Sequence, residues 1–330
     1  MKEIHFWELR DTVRVTFSKK FTKRLFDATK IPPKHLATTL GISHPYTNHL
    51  RLGWYSLPIR MVEKLSKLSR ISLREIEREI VTVKTRAGHG ANVKFPIQGS
   101  KHLASLIGHI FGDGYVGDKK RQVEYANNNP HLIQQFKDAV YNCFRIRPIS
   151  THYRGKGEIR ITFPAILGEM LYVFGAPIAP KIDSEDLIPV WIRRSEEYSA
   201  EFIRAFFDDD GSVMISKKYS ARGLNLYVIR RAEKQQQLTK LLAQIQKLLC
   251  LLDIHATGPN ISRYYEKEDG KRIIMYLNIT DQRSLQNFHK SITLTKGEKA
   301  TKLQRIVART TKSRRKFTVI PTKQQEVHIV

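Results

Sequence analysis

The sequence predicts an α+β fold in which one unit of helices and antiparallel strands occurs twice, behind an all-helical N-terminal region. Three observations indicate this. Two short apolar helical segments each end in Asp-Gly, in "LIGHIFGDG" and "IRAFFDDDG". Each is followed by β-prone stretches, an amphipathic helix and a hairpin. Residues 31–77 instead show helical spacing interrupted by turn signals.

These elements divide the chain into five parts. We expect a helical N-terminal region at 1–85, a linker at 86–100, half-domain 1 at 101–195, half-domain 2 at 196–310 and a basic tail at 311–330. Each half-domain should run helix, strand pair, helix, strand pair, helix. The two cysteines lie in apolar helical segments and are predicted to be core residues, Cys143 and Cys250.

The charge balance points to a polyanionic partner. The chain has 57 Lys+Arg against 31 Asp+Glu, a formal charge of +26. Clustered cations gain affinity for nucleic acids by releasing the counterions condensed on phosphates. No apolar run approaches the ~20 residues that span a bilayer, and the N-terminus lacks the apolar core of a signal peptide. We expect a cytoplasmic protein that does not bind membranes.

The two Asp-Gly segments predict a shared metal site. Small residues recur four apart at Gly108 and Gly112, and in part at Ala205 and Asp209, which favours close parallel packing of the two helices. Their ends would then bring Asp113 and Asp210 together. A carboxylate at a helix C-terminus opposes the helix dipole, so local stability does not explain it. Carboxylate oxygens suit Mg²⁺, or Mn²⁺.

These residues resemble the LAGLIDADG homing endonucleases, in the single-chain form that carries two motifs. The motif acids correspond to Asp113 and Asp210, which are 97 positions apart. The segments "FGAPIAPKIDSEDLIPVWI" and "FHKSITLTKGEKATKL" are similar to those that close each half-domain in that family. The resemblance implies a monomeric pseudo-dimer, a saddle of two antiparallel sheets, and Mg²⁺-dependent cleavage of double-stranded DNA that leaves short 3′ overhangs. Such enzymes are associated with introns.

The resemblance also implies the residues of the site. The metal would be held by Asp113 and Asp210, with Gly112 and Asp209 as the further metal-binding residues. A lysine from each closing segment would assist catalysis, and the positions predict Lys181 and Lys296, with Lys299 as the alternative to Lys296. Asp208 and Asp209 can also be interpreted as capping or solvated acids near a helix end.

DNA contacts are expected from polar and basic residues of the strands and their turns. Arginine can bind guanine with two hydrogen bonds, whereas lysine in a loop more often meets phosphate. The candidates are Lys119, Lys120, Arg121, Arg154, Arg160, Lys217, Lys218, Arg222, Arg230, Arg231, Arg263, Lys271 and Arg272.

Residues 31–77 resemble a helix-turn-helix of the phage-repressor type, with Gly41 in the tight turn and a second helix at about 44–52. The exposed candidates for DNA contact are Ser43, His44, Tyr46, Thr47, Asn48 and Arg51. The alternative is a small helical domain that packs on the rest of the chain without touching DNA.

Two other functions compete with the endonuclease. The first is a non-catalytic, DNA-binding transcription regulator, although retention of both acids argues against it. The second is an RNA maturase that assists intron splicing, since positive charge does not distinguish RNA from DNA.

Overall fold

The N-terminal region combines short helices with a small antiparallel sheet. The structure is a computed structural model that describes residues 2–86, 88–119, 121–215 and 222–315. The first elements are β1 (Glu3–Ile4), β2 (Arg14–Phe17), α1 (Lys19–Asp27), α2 (Pro33–Leu40), α3 (His44–Arg51), β3 (Leu57–Pro58), α4 (Ile59–Ser69), α5 (Leu73–Arg78), β4 (Ile80–Lys84) and β5 (Ile97–Gln98).

The expectation of an all-helical N-terminal region is wrong, because β3, β2 and β4 form a sheet in that order. Val15 and Val83 lie opposite each other in it and are fully buried. Both strands are rich in β-branched residues with alternating burial, as a half-buried strand requires. The pairing joins segments far apart in the sequence.

Helices α2 and α3 are joined by a tight turn at Gly41. This residue adopts a left-handed conformation with φ of 69°, which glycine reaches without steric cost. The Ile42 N–H donates to the Ala37 carbonyl at 3.0 Å, and the Ser43 side chain caps α3. The assignment of this pair as a DNA-binding helix-turn-helix stays a prediction.

The segment predicted to be a linker ties the N-terminal region to half-domain 1. Strand β5 pairs with β1, and the Gly99 N–H donates to the Lys2 carbonyl at 2.7 Å. A further bridge joins Val83 to Ala91. The segment is therefore partly structured by the chain's own N-terminus.

The two half-domains repeat the same order of elements, as the sequence predicts. Half-domain 1 contains α6 (Lys101–Phe111), β6 (Tyr115–Val116), β7 (Val123–Asn127), α7 (Pro130–Phe144), β8 (Ser150–Tyr153), β9 (Ile159–Phe163), α8 (Ala165–Val173) and α9 (Val190–Arg193). Half-domain 2 contains α10 (Glu196–Asp210), β10 (Gly211–Ile215), β11 (Arg222–Arg231), α11 (Gln235–Leu251), β12 (Thr257–Lys267), β13 (Gly270–Ile279), α12 (Gln282–Ser291) and α13 (Glu298–Arg315).

The antiparallel sheets confirm the α+β class and the duplication. Their strand orders are β6-β7-β9-β8 and β10-β11-β13-β12, so corresponding strands hold corresponding places. Helices α7 and α8 pack on the first sheet and α11 on the second. Each sheet therefore has one face against helices and one outer face.

Helices α6 and α10 pack side by side, parallel and very close. A Cβ on Gly108 would lie 2.4 Å from the carbonyl oxygen of Phe202 and 2.9 Å from the Cβ of Ala205. A Cβ on Gly112 would lie 2.5 Å from that of Asp209. Residue numbers increase in the same direction along both helices at these contacts, so both C-termini lie at the same edge. We call the α6–α10 contact the seam.

Buried apolar side chains form one continuous cluster through all three parts of the described chain, from Ile4 to Ile306. Cys143 is half-buried, but Cys250 is exposed, because it lies on the solvent side of α11. The assignment of Cys250 to the core was therefore wrong.

Helix α13 continues to Arg315, so the tail predicted from residue 311 begins as helix, and residues 316–330 lie outside the described residues. None of the described helices combines the length and apolarity needed to cross a membrane.

Replacing Gly108 by alanine should destabilise the protein by ~1–3 kcal/mol, the usual cost of forcing an added carbon into a packed core. The reason is the seam, where the new Cβ meets backbone rather than a flexible side chain. Urea unfolding measures the change. Gly155→Ala is the matched control, since a Cβ there meets nothing within 4 Å. Equal losses in the two variants would contradict the close seam.

Candidate functional site

The two predicted acids lie at the same edge of the seam. Asp113 follows the end of α6, and Asp210 is the last residue of α10. The Asp113 Oδ2 accepts a hydrogen bond from the Asn127 side-chain amide at 3.0 Å. The close parallel packing of α6 and α10 brings both residues to this edge.

Both acids hold their protons more tightly than ordinary aspartates. Burial raises the pKa of Asp210 to about 7, opposed by the charge of Lys181 and reinforced by that of Asp113. One side of Asp113 is open to solvent, but desolvation by the protein on its other sides, and then the Asp209 charge, raise its pKa to about 6. The pair therefore forms an electrostatic site that favours an added cation.

A lysine ammonium lies beside each acid. Lys181 Nζ donates to the carbonyl oxygen of Gly112, the residue before Asp113. Lys299 Nζ donates to the carbonyl oxygens of Asp208 and Asp209 at 2.6 and 2.8 Å. Because Asp209 precedes Asp210, the two lysines hold equivalent positions in the two copies. Burial lowers the pKa of both.

The prediction of Lys296 is corrected to its alternative, Lys299. The Lys296 side chain is exposed, and the backbone carbonyl of this residue accepts a hydrogen bond from the Asn129 side-chain amide at 2.9 Å. Lys299 lies in the first turn of α13, one helical turn further on, and this places its ammonium over the end of α10.

Asp209 is turned away from the open edge, which corrects its assignment as a metal ligand through its side chain. Its carboxylate is fully buried in half-domain 1. It accepts from the Tyr125 hydroxyl at 2.8 Å and from the Asp113 N–H at 3.2 Å, and it lies 3.0 Å from His109 Nδ1. Asp209 therefore supports the turn that presents Asp113.

Asp208 supports the other side of the site. Its buried carboxylate accepts from the Thr295 N–H at 3.0 Å and from the Thr295 hydroxyl at 2.7 Å, with Arg204 at 3.4 Å. These bonds fix the segment just before Lys299. Asp208 thus anchors the loop that leads into α13, and it is neither the helix cap nor the solvated acid considered for it.

Sequence reasoning missed His109, Tyr125 and Asn127. A signal for His109 was present, since it is a polar residue inside an apolar helix where the second copy has Phe206. Tyr125 and Asn127 lie in β7, and only the folded sheet brings them under the acids. Burial and the neighbouring Asp209 charge also raise the pKa of Tyr125.

The donor set at the seam fits a hard divalent cation. It offers two carboxylates and the carbonyl oxygens of Gly112 and Asp209, which the lysine ammonium groups contact in this structure. Within the described part of the chain, no three or more His, Cys, Asp or Glu side chains cluster as a complete metal cage. Mg²⁺ does not need one, because it keeps several waters and binds substrate phosphates.

Three predicted DNA contacts are buried instead. Arg121 packs its guanidinium 4.3 Å from the centre of the Tyr172 ring. Arg230 lies on the helix-facing side of β11, because side chains alternate between the two faces of a strand. Arg272 is covered and bonds to Asp269.

The remaining basic candidates on the sheets are either paired with acids, exposed to solvent or outside the described residues. Arg231 is half-buried between Asp183 and Asp269, and Arg160 pairs with Glu124 at 3.3 Å and Glu158 at 3.5 Å. The exposed candidates are Lys119, Arg154, Arg222, Arg263 and Lys271. Lys120, Lys217 and Lys218 lie outside the described residues.

The outer face of the second sheet carries polar and aromatic residues that sequence reasoning had not selected. Tyr227 and Tyr276 face each other in β11 and β13 with ring centres 5.4 Å apart. Asn225 and Asn278 form the neighbouring pair, in which Asn225 is buried and Asn278 half-buried. These residues were not predicted because the candidates were chosen by positive charge, whereas uncharged polar groups can also hydrogen-bond to base edges.

In the N-terminal region the structure corrects one candidate, Thr47. It is buried, and its hydroxyl donates to the Ser43 carbonyl at 3.0 Å, so it packs inside the domain. Ser43 and His44 are exposed at the start of α3. Tyr46, Asn48 and Arg51 are half-buried, and Arg51 pairs with Asp27 at 2.6 Å.

A family model described as a LAGLIDADG-like domain matches residues 197–293, from the first turn of α10 to just beyond α12. The chain therefore contains a LAGLIDADG-like domain. A tRNA-splicing ligase of Methanopyrus kandleri is 23% identical over 205 residues, which cover 56% of this chain and 20% of the ligase. A glutamine–fructose-6-phosphate aminotransferase of Methanocaldococcus jannaschii is 23% identical over 269 residues, 80% of this chain and 22% of that enzyme. The chain thus spans about a fifth of the length of these curated relatives.

Solved structures with similar folds include full-length DUF199/WhiA from Thermatoga maritima, with a TM-score of 0.42 and 16% identity over 68% of this chain and 64% of that one. They also include the homing endonuclease I-DmoI in complex with DNA and Ca, with a TM-score of 0.40 and 15% identity over 62% of this chain and 97% of that one.

Replacing Asp210 by asparagine should stabilise the metal-free protein at pH 8. The folded-state pKa of about 7 lies above the ordinary 3.8, so ionisation above pH 7 is harder in the folded chain than in the unfolded one. Removing the charge should gain ~1–3 kcal/mol, since one pKa unit is worth about 1.4 kcal/mol. The gain should fade as the pH falls from 7 towards 4.

Thermal unfolding in EDTA at pH 8 and pH 5 measures this gain. Asp11→Asn, which removes an exposed acid of the N-terminal region, is the control and should leave the melting temperature unchanged. A lower melting temperature for Asp210→Asn at pH 8 would show that the carboxylate stabilises the fold.

Proposed function

We propose that this chain is a divalent-metal-dependent, site-specific endonuclease of double-stranded DNA that acts as a single chain. The observation that carries the proposal is the pair of equivalent acid and lysine sets at the seam, Asp113 with Lys181 and Asp210 with Lys299. The LAGLIDADG-like domain in half-domain 2 supports it. If each Asp-Gly were only an ordinary turn at the end of a helix, neither the second copy nor the two lysines would be required.

Asp113 and Asp210, with the carbonyl oxygens of Gly112 and Asp209, would hold Mg²⁺ or Mn²⁺. When bound, such an ion supplies a nucleophile at neutral pH and stabilises the leaving oxygen of a phosphodiester. The protein's part is to hold both carboxylates at one edge. The seam does this through helix packing, and Asn127 and Asp209 fix the position of Asp113.

Lys181 and Lys299 would act on the reacting phosphate. Burial lowers the pKa of each, so each exchanges a proton nearer to neutral pH than an exposed lysine does. Beside a scissile phosphate, such a group orients water by hydrogen bonding and offsets the negative charge that develops. One set for each strand would cut both strands of a duplex.

The two sheets would hold the DNA on either side of the seam. The charge of +26 favours a duplex, and phosphate contacts would come from exposed residues such as Arg263 and Lys271. The outer face of the second sheet, with Tyr227 and Tyr276, would contact base edges in the major groove. We expect short 3′ overhangs from cuts across the minor groove.

The matches to the curated relatives indicate a shared segment within longer proteins, and they do not indicate the reactions in the names of those proteins. A ligase and an aminotransferase catalyse unrelated chemistry, yet each matches this chain over about a fifth of its own length. A segment shared by enzymes of unrelated chemistry gives no ground for assigning either activity to it. We therefore do not extend ligation or amino transfer to this chain.

Selection from a randomised duplex library in Mg²⁺ tests the proposal. The parent should cleave a defined site, and Asp113→Asn and Asp210→Asn should bind that site with cleavage reduced to nicking or less. Tight site-specific binding without cleavage by the parent would favour a regulator. Preference for a structured intron RNA would favour a maturase.

Lys299→Met should slow cleavage of the selected site by ~10²-fold or more, the usual cost of losing one preorganised charge donor in a catalytic site. Binding should change little, because the ammonium contacts the end of α10 and not the outer sheet surface. Lys296→Met is the matched control, since that side chain is exposed three positions away. Single-turnover cleavage and a binding assay in Ca²⁺ separate the two effects. Equal rates for the two variants would exclude Lys299 from catalysis.

A further inference from the structure

The sheet of half-domain 1 has a seam end and an outer end. At the seam end, the Asn127 amide in β7 contacts Asp113 at 3.0 Å. At the outer end, the Gly117 N–H donates to the Gln122 carbonyl at 2.9 Å and closes the β6–β7 turn. DNA that crosses the seam and follows this sheet would run from Asp113 towards that turn.

The N-terminal region lies just beyond this turn. A cleft of about 500 Å³ separates the two, with Val13 and Arg86 on one side and Lys119 and Gln122 on the other. Arg86 and Lys119 are both exposed. They place positive charge on both sides of the cleft, so a phosphate backbone could pass from the sheet to the N-terminal region.

Helix α3 is attached to the segment of the N-terminal region that lines this cleft. Arg14 follows Val13 in β2, and its guanidinium donates to the Tyr46 hydroxyl at 3.1 Å and to the Ser56 carbonyl at 2.6 Å. This contact attaches α3 to the strand that borders the cleft. The first turn of α3 exposes Ser43 and His44, side chains that can reach base edges.

An exposed aromatic patch follows α3. Trp54 and Tyr55 are 59% and 51% exposed, and their ring centres lie 4.8 and 5.9 Å from that of His49. Monomeric proteins seldom expose clustered large aromatic rings without a binding role. In a chain with a charge of +26, DNA is the partner whose charge matches this surface.

The N-terminal region is firmly attached rather than tethered. Strands β1 and β5 pair, and Arg10 Nε donates to the buried carboxylate of Glu169 in α8 at 2.8 Å. Apolar residues of the region belong to the same core cluster as half-domain 1. Its distance from the sheet is therefore set by packing.

We infer that the N-terminal region extends the recognised half-site outward on the side of half-domain 1, at a fixed spacing from the part read by β6–β9. The inference rests on the DNA binding proposed above. An eight-residue helix such as α3 is ~12 Å long at 1.5 Å per residue. At ~3.4 Å per base pair it would cover about three or four base pairs.

A base-substitution scan of the selected duplex tests this with binding as the readout, in Ca²⁺ and with the full chain. The parent should discriminate over a longer stretch on one side of the cut. His44→Ala and Trp54→Ala should lower affinity about tenfold and flatten the profile at the outer positions of that side alone. Lys247→Ala, an exposed change on α11, should leave the profile unchanged. A profile that is equally long on both sides, or loss spread over the whole site, would overturn the inference.

Base-pair insertion tests the fixed spacing independently of any protein variant. Two extra base pairs between the inner and outer parts shift the outer part by ~7 Å, at 3.4 Å per pair. They also rotate it by about 70°, at roughly ten pairs per turn. The parent should then lose the contribution of the outer part. Unchanged affinity would indicate a flexible tether or no outer contact, and either contradicts the inference. Absence of any duplex binding would instead defeat the proposed function.

Discussion

The close parallel contact of α6 and α10 is the constraint on which the rest of the structure depends. Gly108 lies against the backbone at Phe202, and Gly112 lies against Asp209, so the helices approach as nearly as their backbones allow. Because they are parallel, their C-termini meet at one edge and carry Asp113 and Asp210 there. The same contact places one antiparallel sheet on each side of that edge. The site and the surface that would present DNA to it thus arise from one packing interaction.

Holding Asp113 and Asp210 at the ends of the two helices is electrostatically unfavourable, and neighbouring lysines offset this cost in part. Two carboxylates lie where the helix dipoles are negative, and each is further desolvated. Lys181 and Lys299 place ammonium groups on the carbonyl oxygens before the two acids, and burial disfavours their charge as well. Like and unlike charges are thus held close together in a poorly solvated space. Such perturbed groups are typical of sites arranged for chemistry.

Much of the fold was predictable because its signals are local. The repeated Asp-Gly helix ends, the amphipathic helices and the Gly-containing hairpins gave the order of elements in both half-domains. The errors concern contacts between distant segments or the choice of a face. The N-terminal sheet requires Val15 to meet Val83. The choice between Lys296 and Lys299 depends on where α13 begins, and the burial of Arg230 depends on which way β11 faces. The roles of His109 and Tyr125 appear only when Asp209 crosses the seam.

The contacts that Asp209 makes across the seam also limit how the two halves can be separated or exchanged. If half-domain 1 paired with a second copy of itself, a glycine equivalent to Gly112 would replace Asp209, and Tyr125 and His109 would lose their shared acceptor. At this network the two halves are therefore complementary rather than interchangeable. A homodimer made of half-domain 1 alone would lack this network, whereas two separately expressed halves could form it only together.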